Sequence, residues 1–213
     1  MMAPAEHGRP GAETRTDSIL MQRSFLIITT HNLPEAYFVV NFLLRKGQRV
    51  RVLNKTGRTA AEKMRVLRKL ARRRGLPYLA DMLMGKLLKR MYISPQQQPF
   101  PEIDERKIQA LIRQVDYEEC ADVHHPAVIE QIREYSPDYI LVAGAPVLKR
   151  KVYELAKYET LNRHQGISPG YRGSDCPIWA LADGKPGELG YTIHTVSDRV
   201  DGGSIVKQQR LSI

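Results

Sequence analysis

Apolar positions along this chain alternate between strand-like and helix-like spacing. Ser24–Thr30 (SFLIITT) is a short, unbroken apolar run rich in β-branched residues, and it predicts a first strand buried on both faces. Asn32 follows as a helix N-cap, with Glu35 three positions on and Pro34 in the first turn. The helix runs to about Lys46 and stops at Gly47. Arg49–Leu53 (RVRVL) alternates and predicts a second strand. A strand–helix–strand opening argues for a parallel sheet.

The middle of the chain breaks this rhythm. Arg58–Gly75 and Leu76–Arg90 predict two basic helices divided at Gly75-Leu76-Pro77. Each has an apolar stripe assigned to the core: Met64, Leu67, Leu70 and Ala71 in one, Leu79, Leu83, Leu87 and Met91 in the other. Residues 57–101 read as a basic helical insertion that closes with the loop Ser94–Pro101. Ile103–Val115 and Pro126–Tyr135 predict helices, and Tyr117–Val123 a loop with at most a short strand. Tyr139–Gly144 (YILVAG) is the clearest buried strand, and Lys149–Lys157 a helix. Thr160–His164 and Gly190–Val196 predict strands on either side of a short helix at Pro177–Ala182, and the second leads into the turn Ser197–Gly203.

Composition narrows the class. The 213 residues suit one domain, 24–213, behind an 18-residue polar opening and a tail, 1–23, expected to be disordered. The longest apolar run, Tyr139–Leu148, is too short to span a bilayer, and no membrane partner is expected. Two cysteines build no disulfide framework, which makes a reducing cytoplasm the default. The net charge of +10 is uneven: residues 45–90 hold 16 Lys or Arg against Glu62 and Asp81, or +14, leaving −4 for the rest. That block reads as solvated helix faces or as a surface for a polyanion; with Tyr78 its one aromatic residue, it makes a poor stacking platform for single strands. His124-His125 has no second ligand group at metal spacing, so a capping or surface role is assigned and no metal.

Chemistry concentrates in residues 161–203. Asn162 and His164, two apart on a strand, leave the same face. Asp201 stands before Gly202-Gly203 at the end of the next strand and turn. An amide donor, an imidazole and a carboxylate converging at strand ends can stabilise an oxyanion and manage a proton.

The ordered set Asn162-Arg163-His164, Ile167-Ser168-Pro169-Gly170-Tyr171-Arg172-Gly173, Pro177-Ile178-Trp179-Ala180-Leu181, Gly190-Tyr191-Thr192-Ile193-His194 and Val200-Asp201-Gly202-Gly203 resembles the folate-dependent formyltransferase family. The resemblance covers roughly residues 120–213 well and 24–53 weakly. It implies an α/β, Rossmann-like formyltransferase fold with a mostly parallel central sheet flanked by helices. It also implies a one-carbon enzyme carrying a formyl group from 10-formyltetrahydrofolate, without metal, to an amine acceptor through a tetrahedral intermediate. Asn162, His164 and Asp201 are the implied catalytic residues; Asp201 is preferred over Asp198, which is assigned to shaping the turn. Gly144, Ala145, Val147, Leu148 and Val200 are implied for the donor, and His31, Asn32, Tyr171 and Arg172 for the acceptor. Trp179 is assigned to packing its helix on the sheet, and His194 to packing or capping.

Departures from the pattern are informative. The turn Thr29–Pro34 has no glycine, whereas relatives acting on a phosphoribosyl amine carry a glycine-rich loop there. An amino sugar or sugar nucleotide is therefore the favoured acceptor class. Arg163 replaces an apolar residue, Gln165 and Gly166 replace Pro and Ser, and Ser168 replaces Leu, changes assigned to the acceptor side more than to the catalytic trio. Relatives continue beyond the position of Ile213 with a packing helix, so a truncated chain is expected. Alternatives are hydrolysis of the same donor, formylation of initiator tRNA, and an inactive relative that binds RNA or protein through the basic block. The sequence assigns no oligomeric state.

Overall fold

The computed structural model describes residues 22–30, 33–57, 60–92 and 103–211. The predicted N-terminal tail lies outside them up to residue 21, as do His31, Asn32, the predicted linker Ser94–Pro101 and the last two residues.

Among the described residues, strand β1 (Ser24–Thr29) is third in a seven-stranded sheet, flanked by β2 (Arg49–Lys55) and β4 (Tyr139–Ala143). With β3 (Asp116–Cys120), β5 (Glu159–His164), β6 (Gly190–Thr195) and β7 (Ile205–Arg210), the strand order is β3-β2-β1-β4-β5-β6-β7. The first five strands run parallel; β6 and β7 join antiparallel. This is the mostly parallel α/β sheet that the sequence predicts.

Side-chain alternation assigns each strand residue to one of two cores. On one face, Leu26, Ile28, Ile140 and Val142 pack with α4 (Pro126–Tyr135) and with Val152 of α5 (Arg150–Tyr153). On the other, Ile27, Val50, Val52 and Ala143 pack with Ala36, Val40 and Leu43 of α1 (Leu33–Arg45) and Leu111 of α3 (Glu105–Ile112). Burial on both faces explains why β1 and β4 are unbroken apolar runs. From β1 the connections step toward β2 and β3, and from β4 toward β5 and β6, so the crevice beyond the carboxyl ends of β1 and β4 is the topological switch point.

Capping follows local chemistry. Asp104 accepts from the Lys107 N–H at 2.9 Å, and His125 Nδ1 from the Ala127 N–H at 3.3 Å. His124 pairs with Asp122 at 3.2 Å and accepts from the Lys149 N–H at 3.1 Å; burial lowers its pKa against the pull of Asp122. The histidine pair thus ties α4 to the loop before α5.

Four expectations differ from the structure. The short strand allowed for within 117–123 spans 116–120 instead, as an edge strand, because β2 supplies the backbone partners that the sequence DYEEC cannot advertise. Helix α5 has four residues instead of the nine predicted over Lys149–Lys157. The basic block is a helix, α2 (Ala60–Tyr92), broken at Gly75 (φ 83°) as predicted, but Met64, Leu83 and Leu87 of its apolar stripes are exposed rather than core. Trp179 of α6 (Cys176–Ala182) is also exposed: this helix buries Cys176 and Ala180 and turns Ile178, Trp179 and Leu181 outward.

Ile140 is fully buried between β1 and β5. Its replacement by Ala is expected to lower unfolding stability by about 3 kcal/mol, read as a shifted urea midpoint with an unchanged slope.

Candidate active site

Asn162 and His164 reach the site from the last residues of β5. Thr160, on the same face, donates its hydroxyl to the Tyr153 carbonyl at 2.6 Å, which marks this as the α5 face. The antiparallel register sets His194 of β6 directly opposite Asn162. Cross-strand partners lie side by side on one face of a sheet, so His194 joins the pair. It was assigned to packing; the alternation Thr192, His194 was visible in the sequence, but the register that makes it a neighbour of Asn162 was not.

Asp201 arrives by the turn between β6 and β7. Gly203 lies so close to β6 that a Cβ there would sit 1.8 Å from the Thr195 carbonyl oxygen. Asp201 itself is left-handed (φ 46°), a conformation Asp tolerates better than most residues. The turn is braced from the other side, where Asp198 accepts from the Tyr153 hydroxyl at 2.7 Å and from Arg150 at 3.2 Å. Asp198 therefore holds the turn while Asp201 enters the site.

The four polar side chains form one directed network. Asp201 is 11% exposed; its Oδ2 accepts from the Gly173 N–H at 2.8 Å and faces His164 Nδ1 at 3.4 Å. Its Oδ1 accepts from Asn162 Nδ2 at 3.2 Å and lies 3.3 Å from His194 Nε2. His194 Nδ1 donates to the Thr195 carbonyl at 2.8 Å, which leaves Nε2 to accept from Asn162 Nδ2 at 3.1 Å. His164 Nε2 donates to the Tyr171 carbonyl at 2.9 Å. Its Nδ1 and the Asp201 carboxylate are then two acceptors facing each other, a pair that bonds only when a further proton lies between them.

Cys176 fills the space behind His164, its Sγ 3.6 Å from Nε2 and 3.4 Å from the Gly173 carbonyl. Burial and the Asp201 charge raise its thiol pKa, so it is a neutral packing group and not a nucleophile. Gly166, a departure assigned to the acceptor side, in fact abuts the trio: a Cβ there would lie 2.6 Å from His164 Nε2 and 2.9 Å from both Cys176 Cβ and the Tyr171 carbonyl.

These groups open on a cavity of about 590 Å³. Asn162, His164 and Asp201 line it together with Gly144, Ala145, Val147, Leu148 and Val200. Tyr171 and Arg172 are not among its walls: Tyr171 contributes its carbonyl to His164 and its hydroxyl to Asp183, and Arg172 is exposed. His31 and Asn32 lie outside the described residues. Among the wall residues given no site role in the sequence are Glu35, in the first turn of α1, and Arg163, whose guanidinium pairs with it. Asn162 and Arg163 leave opposite faces, so the ion pair approaches from the α1 side. That pairing explains how a charged residue replaces an apolar one at position 163.

Comparisons with known proteins agree with this architecture. A methionyl-tRNA formyltransferase from Chlorobium chlorochromatii (strain CaD3) is 36% identical over 104 residues, 49% of this chain and 33% of that protein. The chain thus spans about a third of the length of that curated relative. Among solved structures, glycinamide ribonucleotide transformylase 1 from Symbiobacterium toebii superposes with a TM-score of 0.57 at 17% identity, over 89% of this chain and 73% of that one. Phosphoribosylglycinamide formyltransferase from Bacillus halodurans gives 0.55 at 14%, over 90% and 80%. At such identities the two structures speak for the fold alone. The sequence profile described as formyl transferase matches residues 92–213, more than half of the chain, and the chain belongs to the formyl transferase family.

Proposed function

We propose that this protein transfers a formyl group from 10-formyltetrahydrofolate to an amine, and that Asn162, His164 and Asp201 carry the reaction. The observation that carries this reading is the 3.4 Å approach of His164 Nδ1 to Asp201 Oδ2 beside the Asn162 amide, all three lining one cavity.

The cavity's residues fit the donor. Gly144, left-handed at φ 67°, turns the chain after β4 and keeps backbone rather than side chain at the wall. Val142, Ala145 and Leu148 add an apolar side against which a flat ring can lie. When bound, the donor supplies an activated N-formyl carbonyl. Both Asn162 N–H groups are engaged, by Asp201 Oδ1 and His194 Nε2; in this reading the one on Asp201 is released to the formyl oxygen as charge grows on it, and a single such donor contributes about 3 kcal/mol. The His164–Asp201 junction takes up the proton that the attacking amine must lose. His194 contributes indirectly, by accepting one Asn162 N–H and so fixing the amide's orientation.

On the acceptor side, Glu35 occupies the first turn of α1, where a helix N-terminus would otherwise welcome an anion. A carboxylate there disfavours a phosphate group, and the Glu35–Arg163 pair offers donors and acceptors suited to hydroxyls. This supports an amino sugar as the acceptor.

Purified protein given 10-formyltetrahydrofolate and a panel of amino sugars and nucleotide-linked amines is expected to turn over the donor only when an amine is present. His164→Ala and Asp201→Asn are expected to abolish this turnover. Asn162→Ala is expected to lower kcat about 10²–10³-fold. Amine-independent release of formate would identify a hydrolase, and no turnover by the folded protein would end the enzymatic reading for this donor.

Gly166→Ala is expected to reduce turnover sharply by displacing the His164 ring, while most of the thermal stability remains. Wild-type turnover in that variant would show that the ring position is unimportant.

A further inference from the structure

Helix α2 combines two surfaces that neither sheet core uses. Its sequence from Ala60 to Tyr92 has ten Lys or Arg against Glu62 and Asp81. The break at Gly75 divides it into two arms of different character. On the first arm Lys63, Arg65, Arg68 and Arg72 are exposed. On the second, Leu76 (74% exposed), Leu83 (59%) and Leu87 (53%) recur at spacings of seven and four and so share one face, with Met84 beside them. Lone exposed leucines are ordinary, but an aligned row of them next to a dense basic arm marks an interaction surface.

We infer that α2 is an interfacial helix that seats this protein on an anionic lipid bilayer, and this inference stands apart from the reading of the catalytic site. The aliphatic row would enter the boundary between headgroups and acyl chains, while the basic arm would lie among the anionic headgroups. Among the described residues no helix is long and apolar enough to cross a membrane, which suits a helix lying on the surface. Charge complementarity selects the partner. A polynucleotide would engage the basic arm but leave the leucine row in water, and α2 has few aromatic side chains on which bases could stack. A second copy of the chain could cover the leucines only by bringing two strongly basic helices together, against their mutual repulsion.

The test is sedimentation of the full chain with vesicles of phosphatidylcholine alone or of phosphatidylcholine mixed with phosphatidylglycerol. Binding is expected only to the phosphatidylglycerol vesicles, and it should weaken as salt rises. Leu83→Glu/Leu87→Glu and, separately, Arg68→Glu/Arg72→Glu are expected to lower vesicle affinity about tenfold or more. All four positions are exposed, so an unchanged near-ultraviolet circular dichroism spectrum is expected to show that the fold persists in both variants. Absence of wild-type binding to anionic vesicles overturns the inference. So does retention of that binding in either folded variant. Salt-sensitive binding to RNA without vesicle binding overturns it in favour of a polynucleotide. A dimer that the leucine variant dissociates, again without vesicle binding, overturns it in favour of self-association.

Discussion

A carboxylate that is only 11% exposed loses most of its hydration, and it persists as an anion only where donors replace the water. Asp201 meets that demand with the Gly173 N–H and the Asn162 amide, between the imidazoles of His164 and His194. Each partner is in turn held by backbone: His164 by the Tyr171 carbonyl, His194 by the Thr195 carbonyl. The site is therefore a single unit. The loop over residues 166–173, the ends of β5 and β6 and the turn before β7 all have to be in place before the charge is satisfied.

The sheet makes this assembly geometrically simple. A parallel β5 delivers its side chains at the carboxyl end, next to the switch point where the cavity lies. An antiparallel β6 leaves toward the amino end of β5, with Thr195 opposite Leu161, and the turn that follows bends Asp201 back beside Asn162 and His164. The close approach of Gly203 to Thr195 and the bonds from Tyr153 and Arg150 to Asp198 keep that turn from swinging away.

Charge is distributed in three separate ways. At the cavity Glu35 and Arg163 cancel each other on the α1 side. At the site, the Asp201 carboxylate lies between two imidazoles. Along α2 the excess is left uncancelled and sits beside exposed aliphatic side chains. The first two arrangements concern chemistry in a confined space; the third concerns where the molecule sits.

Much was legible in the sequence because periodicity and capping are local. Unbroken apolar runs identified β1 and β4, the pair buried on both faces, and the two-residue spacing of Asn162 and His164 placed both on one face before any fold was known. Gly75-Leu76-Pro77 marked the break in α2. What covers a face is not local, and there the sequence was silent. The stripes of α2 have helical period whether or not anything packs on them, and Trp179 is as apolar outside as inside. Strand β3 acquires its identity from pairing with β2, His194 its neighbour Asn162 from antiparallel register, and Glu35 its partner Arg163 from the crossing of α1 over the sheet. The sequence by itself determined most of the elements, the faces of the strands and the spacing that sets Asn162 and His164 on one face. Tertiary structure alone decided the fourth side chain of the network, the ion pair on the α1 side of the cavity and the exposure of α2, because each depends on which distant residues the fold brings within a few ångströms.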